Sequence, residues 1–294
     1  MPFPRVAASR FLPIGMMLIA MVSVQSGASF AKSLFPSIGA EGATTLRLAI
    51  SAAIMTAVWR PWKIRLTRAN ARPLIGYGLA LGTMNLTFYL ALRTIPLGVA
   101  VAIEFVGPLT VALVQSRRTI DFLWVALAVG GLVLLLPIGH LSTGLDPVGA
   151  GFALVAGVCW ALYIVFGQKA GSLHGGRTVA VGALIAAVLV VPFGIARAGP
   201  SLLNPAVLPV GLLVALLSSA IPYSLEMFAL TRMPTRIFGT LMSLEPAVGA
   251  LAAFLIIGER LSPIQLIAIA LVITASVGTV AAGERKTTQV ELLA

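Results

Sequence analysis

Residues 178–196, TVAVGALIAAVLVVPFGIA, hold no charged side chain, and runs like it recur along the whole chain. A helix of roughly 20 such residues spans the hydrocarbon core of a bilayer. A chain built from them has too little polar surface to face water. Hydrophobic residues make up 59% and charged residues 10% of the chain, at a mean hydropathy of +1.03. A soluble domain carries about a quarter charged residues. The runs are continuous, not alternating as in the strands of an outer-membrane barrel, and helices satisfy their own backbone groups in lipid. The fold class expected is therefore all-α integral membrane.

Turn signals divide the runs. FPSIGAEG, RPWKIRLTRANAR, TIPLG, HLSTGLDPVG, AGSLHGGR, RAGPSLLNP, RMPT and GERLSP separate helices expected near 13–35, 42–59, 73–93, 96–115, 121–139, 148–168, 178–197, 207–230, 235–257 and 261–282. The first run follows Arg5 and Arg10, as a signal peptide would, but it is too long for a typical signal core and lacks an evident cleavage site, so it is read as a span. Arg60, Lys63, Arg65, Arg68, Arg72, Arg117, Arg118, Lys169, Arg177, Arg232, Arg236, Arg285 and Lys286 then fall on the same side as Arg5 and Arg10. Only Lys32, Arg93, Arg197 and Arg260 fall near the other face. That asymmetry predicts that both termini are cytoplasmic. It also accounts for the net charge of +11 without a nucleic-acid partner.

The chain repeats itself. LALRTIPLGVAVAIEFVGP (90–108) lies over FALTRMPTRIFGTLMSLEP (228–246), and one offset of 138 residues carries Pro96 onto Pro234 and Pro108 onto Pro246. Two repeats are expected, 11–139 and 148–283, with five spans each. An odd number of spans makes the halves enter the membrane from opposite sides, the inverted repeat common in alternating-access carriers.

MVSVQSGASFAKSLFP, TTLRLAI, IPLGVAVAIEFVGPLTVAL, the SRR and DFLWV segments, the run from PYSLEM through ALTRMPTR to FGTLMS and EPA, and GERLSPIQL resemble the EamA-type branch of the drug/metabolite transporter superfamily. The resemblance runs from about residue 11 to about residue 284 and is nearest to the threonine/homoserine exporters of that branch. It implies ten transmembrane helices, as two inverted five-helix repeats around a central cavity, that export small amino acids across the inner membrane. Relatives that export aromatic amino acids, other small metabolites or drugs supply the alternative.

Two carboxylates stand beside prolines in apolar surroundings: Glu104 four residues before Pro108, and Glu245 immediately before Pro246. Proline lacks an N–H, so the carbonyl four residues earlier, that of Glu104 or Met242, loses its helical partner. A carboxylate and a freed carbonyl both suit the ammonium group of an amino acid, and either carboxylate could exchange that group for a proton. The alternative is a packing kink with each Glu paired to an Arg. Gln25, Asn85, Trp160 and Ser219 lie at similar depth in their spans; helical spacing adds Tyr89, Tyr163 and Tyr223 to the same faces. These residues, with Glu104 and Glu245, form the expected substrate-binding set.

Each has a plainer reading. Gln25 and Asn85 could join helices; Trp160 and Tyr163 could pack or form a lid. Glu226 is read as an ion-pair anchor for Arg232 and Arg236, Lys32 as reaching the external face, and Arg47 as pairing with Glu41 in preference to binding a substrate carboxylate. The single Cys159 excludes an intrachain disulfide. His140 and His174 are expected in separate loops, no Cys/His cluster has zinc spacing, and no Walker-type loop offers an ATP motor. No cofactor, catalytic residue or metal ligand is expected; the partners are a small amino acid, the bilayer and a proton as coupling ion.

Overall fold

The computed structural model describes residues 11–95, 97–116, 119–135, 146–252 and 262–291. Arg5, Arg10, Pro96, Arg117, Arg118, His140 and Arg260, the expected helical residues 136–139 and 253–257, and the side chains of Ser29, Lys32, Pro246, Arg285 and Lys286 lie outside that description. The described residues are helical, joined by short turns.

The first helix, α1 (Leu12–Trp59), comprises two limbs. The FPSIGAEG stretch, expected as a loop, is helical on both sides of one residue. Gly39, at φ 69° and ψ 175°, reverses the chain, a backbone shape that a Cβ would strain. The rising limb places Gly27 beside Ser218, and the returning limb places Leu46 beside Gly211 and Trp59 beside Gly176. Thr67 caps α2 (Arg68–Ala91): its hydroxyl accepts from the Asn70 N–H, while the Asn70 side chain accepts from the Thr67 N–H.

The proline argument applies directly to the next segment. One span was expected at 96–115; the structure has α3 (Leu97–Glu104) and α4 (Val106–Val114), broken at Phe105. The expected span 235–257 likewise begins as α10 (Thr235–Met242) and α11 (Leu244–Ala252), broken at Ser243. Each break falls three residues before a proline, where the helical ladder loses a donor.

Between these lie α5 (Thr119–Leu135), α6 (Pro147–His174), α7 (Gly176–Ala198), α8 (Leu208–Ala215) and α9 (Ile221–Leu230); α12 (Pro263–Glu291) closes the described chain. His174, expected in a loop, is the last residue of α6. Asp146 caps α6 by accepting the Gly149 N–H at 2.7 Å, and that bond holds its carboxyl below the usual carboxylate range. A π-helical turn, Leu216–Ala220, joins α8 to α9.

Helix α2 lies against α6 and α7, and α1 lies against α7, α8 and α9. Helices α3 and α4 lean on α6, α11 leans on α1, α4 meets α10, and α5 pairs with α12. Small residues permit these contacts, as expected where lipid supplies no hydrophobic drive between helices. At Gly157 a Cβ would come within 2.8 Å of the Glu104 carbonyl oxygen, and at Gly239 within 2.6 Å of that of Pro108. Both broken segments are thus pressed backbone to backbone against neighbours.

Five helices among the described residues are long and apolar enough to cross a membrane: Ser33–Trp59, Asn70–Ala91, Pro147–His174, Gly176–Leu203 and Leu208–Leu230. Shorter apolar helices cover Leu12–Gly27, Val99–Val114, Thr119–Leu134 and Pro263–Thr279. Exposed Val114, Leu123, Val158, Val188 and Ile267 present an apolar exterior. Together these features make the chain a multi-pass membrane protein.

Candidate functional site

A cavity of about 680 Å³ lies between α1, α2, α3, α6, α9 and α11. It runs from Glu226 and Glu245 to Phe35, Ala40, Leu92 and Ile95, at the end of the bundle where α1 reverses. Gln25, Asn85, Tyr89, Glu104, Trp160, Tyr163, Tyr223 and Glu245 all line it. Residues from both halves of the sequence therefore meet around one volume.

The helix breaks give the two carboxylates their positions. Glu104 is the last residue of α3, and Glu245 lies in the first turn of α11. Glu104 is buried and Glu245 half-buried. Neither carboxylate has a hydrogen-bond or ion-pair partner among the described residues, so the arginine pairing considered from the sequence is not made. The Gln25 side-chain amide donates to the Glu245 carbonyl at 3.4 Å and ties α1 to the α10–α11 break.

Aromatic rings form the walls. Trp160 packs on Phe105, the break residue itself, with ring centres 4.9 Å apart. Tyr163 stacks on Tyr77 at 4.9 Å and lies 6.4 Å from Tyr223. Tyr89 meets Phe88 edge to face at 6.4 Å, and both line the cavity.

One expected residue does not line the cavity. Ser219 is fully buried, and Ser218 takes the lining position. The expected spacing assumed a regular helix from Ser219 to Tyr223 to Glu226. The π-helical turn inserts residues into that stretch and rotates the register by about one position, so the serine facing the cavity is five residues before Tyr223.

Two lining residues were read differently from the sequence. Arg47 does not pair with Glu41; its Nη2 donates to Asn85 Oδ1 at 2.5 Å, and the side chain lines the cavity. Glu41 instead pairs with Arg93 at 3.0 Å. Glu226 is not an anchor for Arg232 and Arg236: it lines the cavity and accepts from the Tyr163 hydroxyl at 3.1 Å. Arg232 lies over the Phe228 ring at 3.6 Å, and Arg236 pairs with Asp121. The available signal was shared by both: each is a charge inside an apolar run, a functional site by default.

The opposite end of the bundle is closed by polar ties. Arg236 of α10 holds Asp121 of α5, the Thr235 hydroxyl donates to Gln115 after α4, and Gln168 of α6 donates to the Met233 carbonyl at 3.3 Å. None of these residues lines the cavity. Among the described residues no group of His, Cys, Asp and Glu could hold a metal ion.

Residues 147–281 match the sequence model of the EamA-like transporter family. The threonine/homoserine exporter RhtA of Salmonella typhimurium is 56% identical over 269 residues, covering 92% of this chain and 91% of the relative. RhtA of Escherichia coli is 55% identical with the same coverage. A solved crystal structure that is 18% identical superposes with a TM-score of 0.77, covering 92% of this chain and 98% of its own, and so shares the fold.

Proposed function

Because this chain belongs to the EamA-like transporter family, alongside the threonine/homoserine exporters RhtA, we propose that it exports threonine, homoserine and similar small amino acids across the inner membrane. It acts as a carrier and not as an enzyme. The observation that carries the site reading is the pair Glu104 and Glu245, two carboxylates without partners among the described residues, facing one cavity from the broken helices of the two halves. A substrate ammonium compensates charges that are costly to leave unpaired away from water. The cavity volume alone would also admit an aromatic amino acid; the identity to RhtA favours the small polar class.

The architecture proposed is ten transmembrane helices in two inverted five-helix repeats, 11–139 and 148–283. The packing supports it. Helix α6 lies on α2 as α1 lies on α8 and α9, with Gly27 of its first limb beside Ser218 and Leu46 of its returning limb beside Gly211, and α3 with α4 leans on α6 as α11 leans on α1. The breaks at Phe105 and Ser243 also stand 138 residues apart. Both termini face the cytoplasm in this reading, because the polar ties then close the side rich in arginine and lysine. The cavity opens outward, and export alternates this state with one in which the ties part. Glu104 or Glu245 takes up a proton when the amino acid leaves, so that proton entry drives exit.

Cells overproducing the protein should survive growth-inhibiting threonine or homoserine and release more threonine to the medium. Unchanged efflux of every amino acid tested, from correctly inserted protein, would overturn the reading.

A further inference from the structure

A zwitterion needs a receiver for its negative end as well as for its ammonium. Arg47 is the cation that reaches the cavity among its described lining residues. Its setting is built. Asn85, which is buried, gives one amide N–H to the Leu81 carbonyl at 2.8 Å, and that bond aims Oδ1 at the guanidinium. Asn85 thereby holds Arg47 in place without neutralising it. A structural arginine at such depth would normally meet a carboxylate. Glu41, six residues earlier, is engaged by Arg93.

The guanidinium is also underused. It carries five N–H groups, of which one is spent among the described residues, on Asn85. Its Nε is buried without a hydrogen-bond partner, a state that buried donors seldom keep. Arg47 and Glu104 line the same cavity. A cation and an unpaired carboxylate thus face one volume, as the two adjacent charges of an α-amino acid require.

We propose that Arg47, aimed by Asn85, receives the α-carboxylate of the exported amino acid and restricts transport to substrates with a free carboxylate. This rests on the export reading above. The planar guanidinium edge matches a carboxylate with two parallel hydrogen bonds, a geometry that lysine cannot reproduce. The site would reject the amides of the same amino acids, which keep the ammonium and side chain but lose the anion.

Purified protein in proteoliposomes, with labelled threonine counterflow as readout, tests this. Threonine and homoserine should compete; threonine amide and homoserine amide should compete at least about tenfold less well, because a site built for a charged partner discriminates strongly against its loss. Arg47→Gln should raise the threonine KM about 10- to 100-fold, the scale of one charge-assisted contact, and abolish the preference for the acid over the amide. Arg47→Lys should fall between, and Asn85→Asp should block transport by neutralising the guanidinium. Amide competition equal to that of threonine in the unmodified protein would overturn the proposal without any variant. So would an unchanged threonine KM in well-folded Arg47→Gln, or in Arg47→Lys if the Gln variant does not insert. Unmodified protein that moves no amino acid would instead fail the export reading, and this inference with it.

Discussion

Glu104 and Glu245 owe their freedom to the residues around them. Each lies at a helix break rather than within a regular span, and neither is met by an arginine side chain among the described residues. Replacing Glu by Gln keeps size and hydrogen bonding but removes the charge and the proton. Glu104→Gln and Glu245→Gln should each weaken threonine binding about 10- to 100-fold. The variant that removes the coupling group should lose accumulation driven by a pH gradient while retaining exchange, which proteoliposomes with and without that gradient would separate. If both variants accumulate threonine with unchanged pH dependence, neither carboxylate couples transport to protons. Both positions were legible in the sequence, because a carboxylate beside a proline in an apolar run has few structural excuses. Arg47 was only half legible: its place in a span was plain, but the choice between Glu41 and Asn85 depends on how the returning limb of α1 rotates against α2. Sequence spacing does not carry that information.

At the scale of the element, the breaks and the π turn do the aiming. The break at Phe105 turns α3 from α4 and presents its own ring to Trp160. The π turn at Leu216–Ala220 moves Ser218 onto the cavity and Ser219 into the packing. In protein with Cys159 replaced by Ala, Ser218→Cys should react with a small charged thiol reagent from the cavity side, and threonine should slow the reaction. Ser219→Cys should react at least about tenfold more slowly, since Ser219 is fully buried and does not reach the cavity wall that Ser218 joins. Equal labelling would remove the π register from the account. The prolines announced the breaks because each removes a donor at a known position. Nothing in LLSSA announced the π turn, whose extra residue is decided by tertiary packing. That is why the sequence placed Ser219 where the structure has Ser218.

At the scale of the whole molecule, two halves of one chain meet around a single volume that reaches the end where α1 reverses, with polar ties at the other end. The asymmetry of arginine and lysine predicts that the tied end faces the cytoplasm with both termini. Reporter domains fused to the C-terminus should be active only inside the cell; an external C-terminus would break the inverted-repeat proposal. Helix positions were legible at this scale because lipid demands long apolar runs, and the repeat is proposed because Pro96, Pro108, Pro234 and Pro246 keep one offset. Which end is closed was not, because Arg236 and Asp121 lie 115 residues apart and meet only in the fold. The most direct test is counterflow: purified protein in liposomes loaded with unlabelled threonine, presented with labelled threonine outside. Transient uptake of label that homoserine competes away, and that is strongly reduced in the Glu104→Gln, Glu245→Gln double variant, is the predicted result. No uptake above protein-free liposomes from folded protein, or full uptake by the double variant, would contradict it.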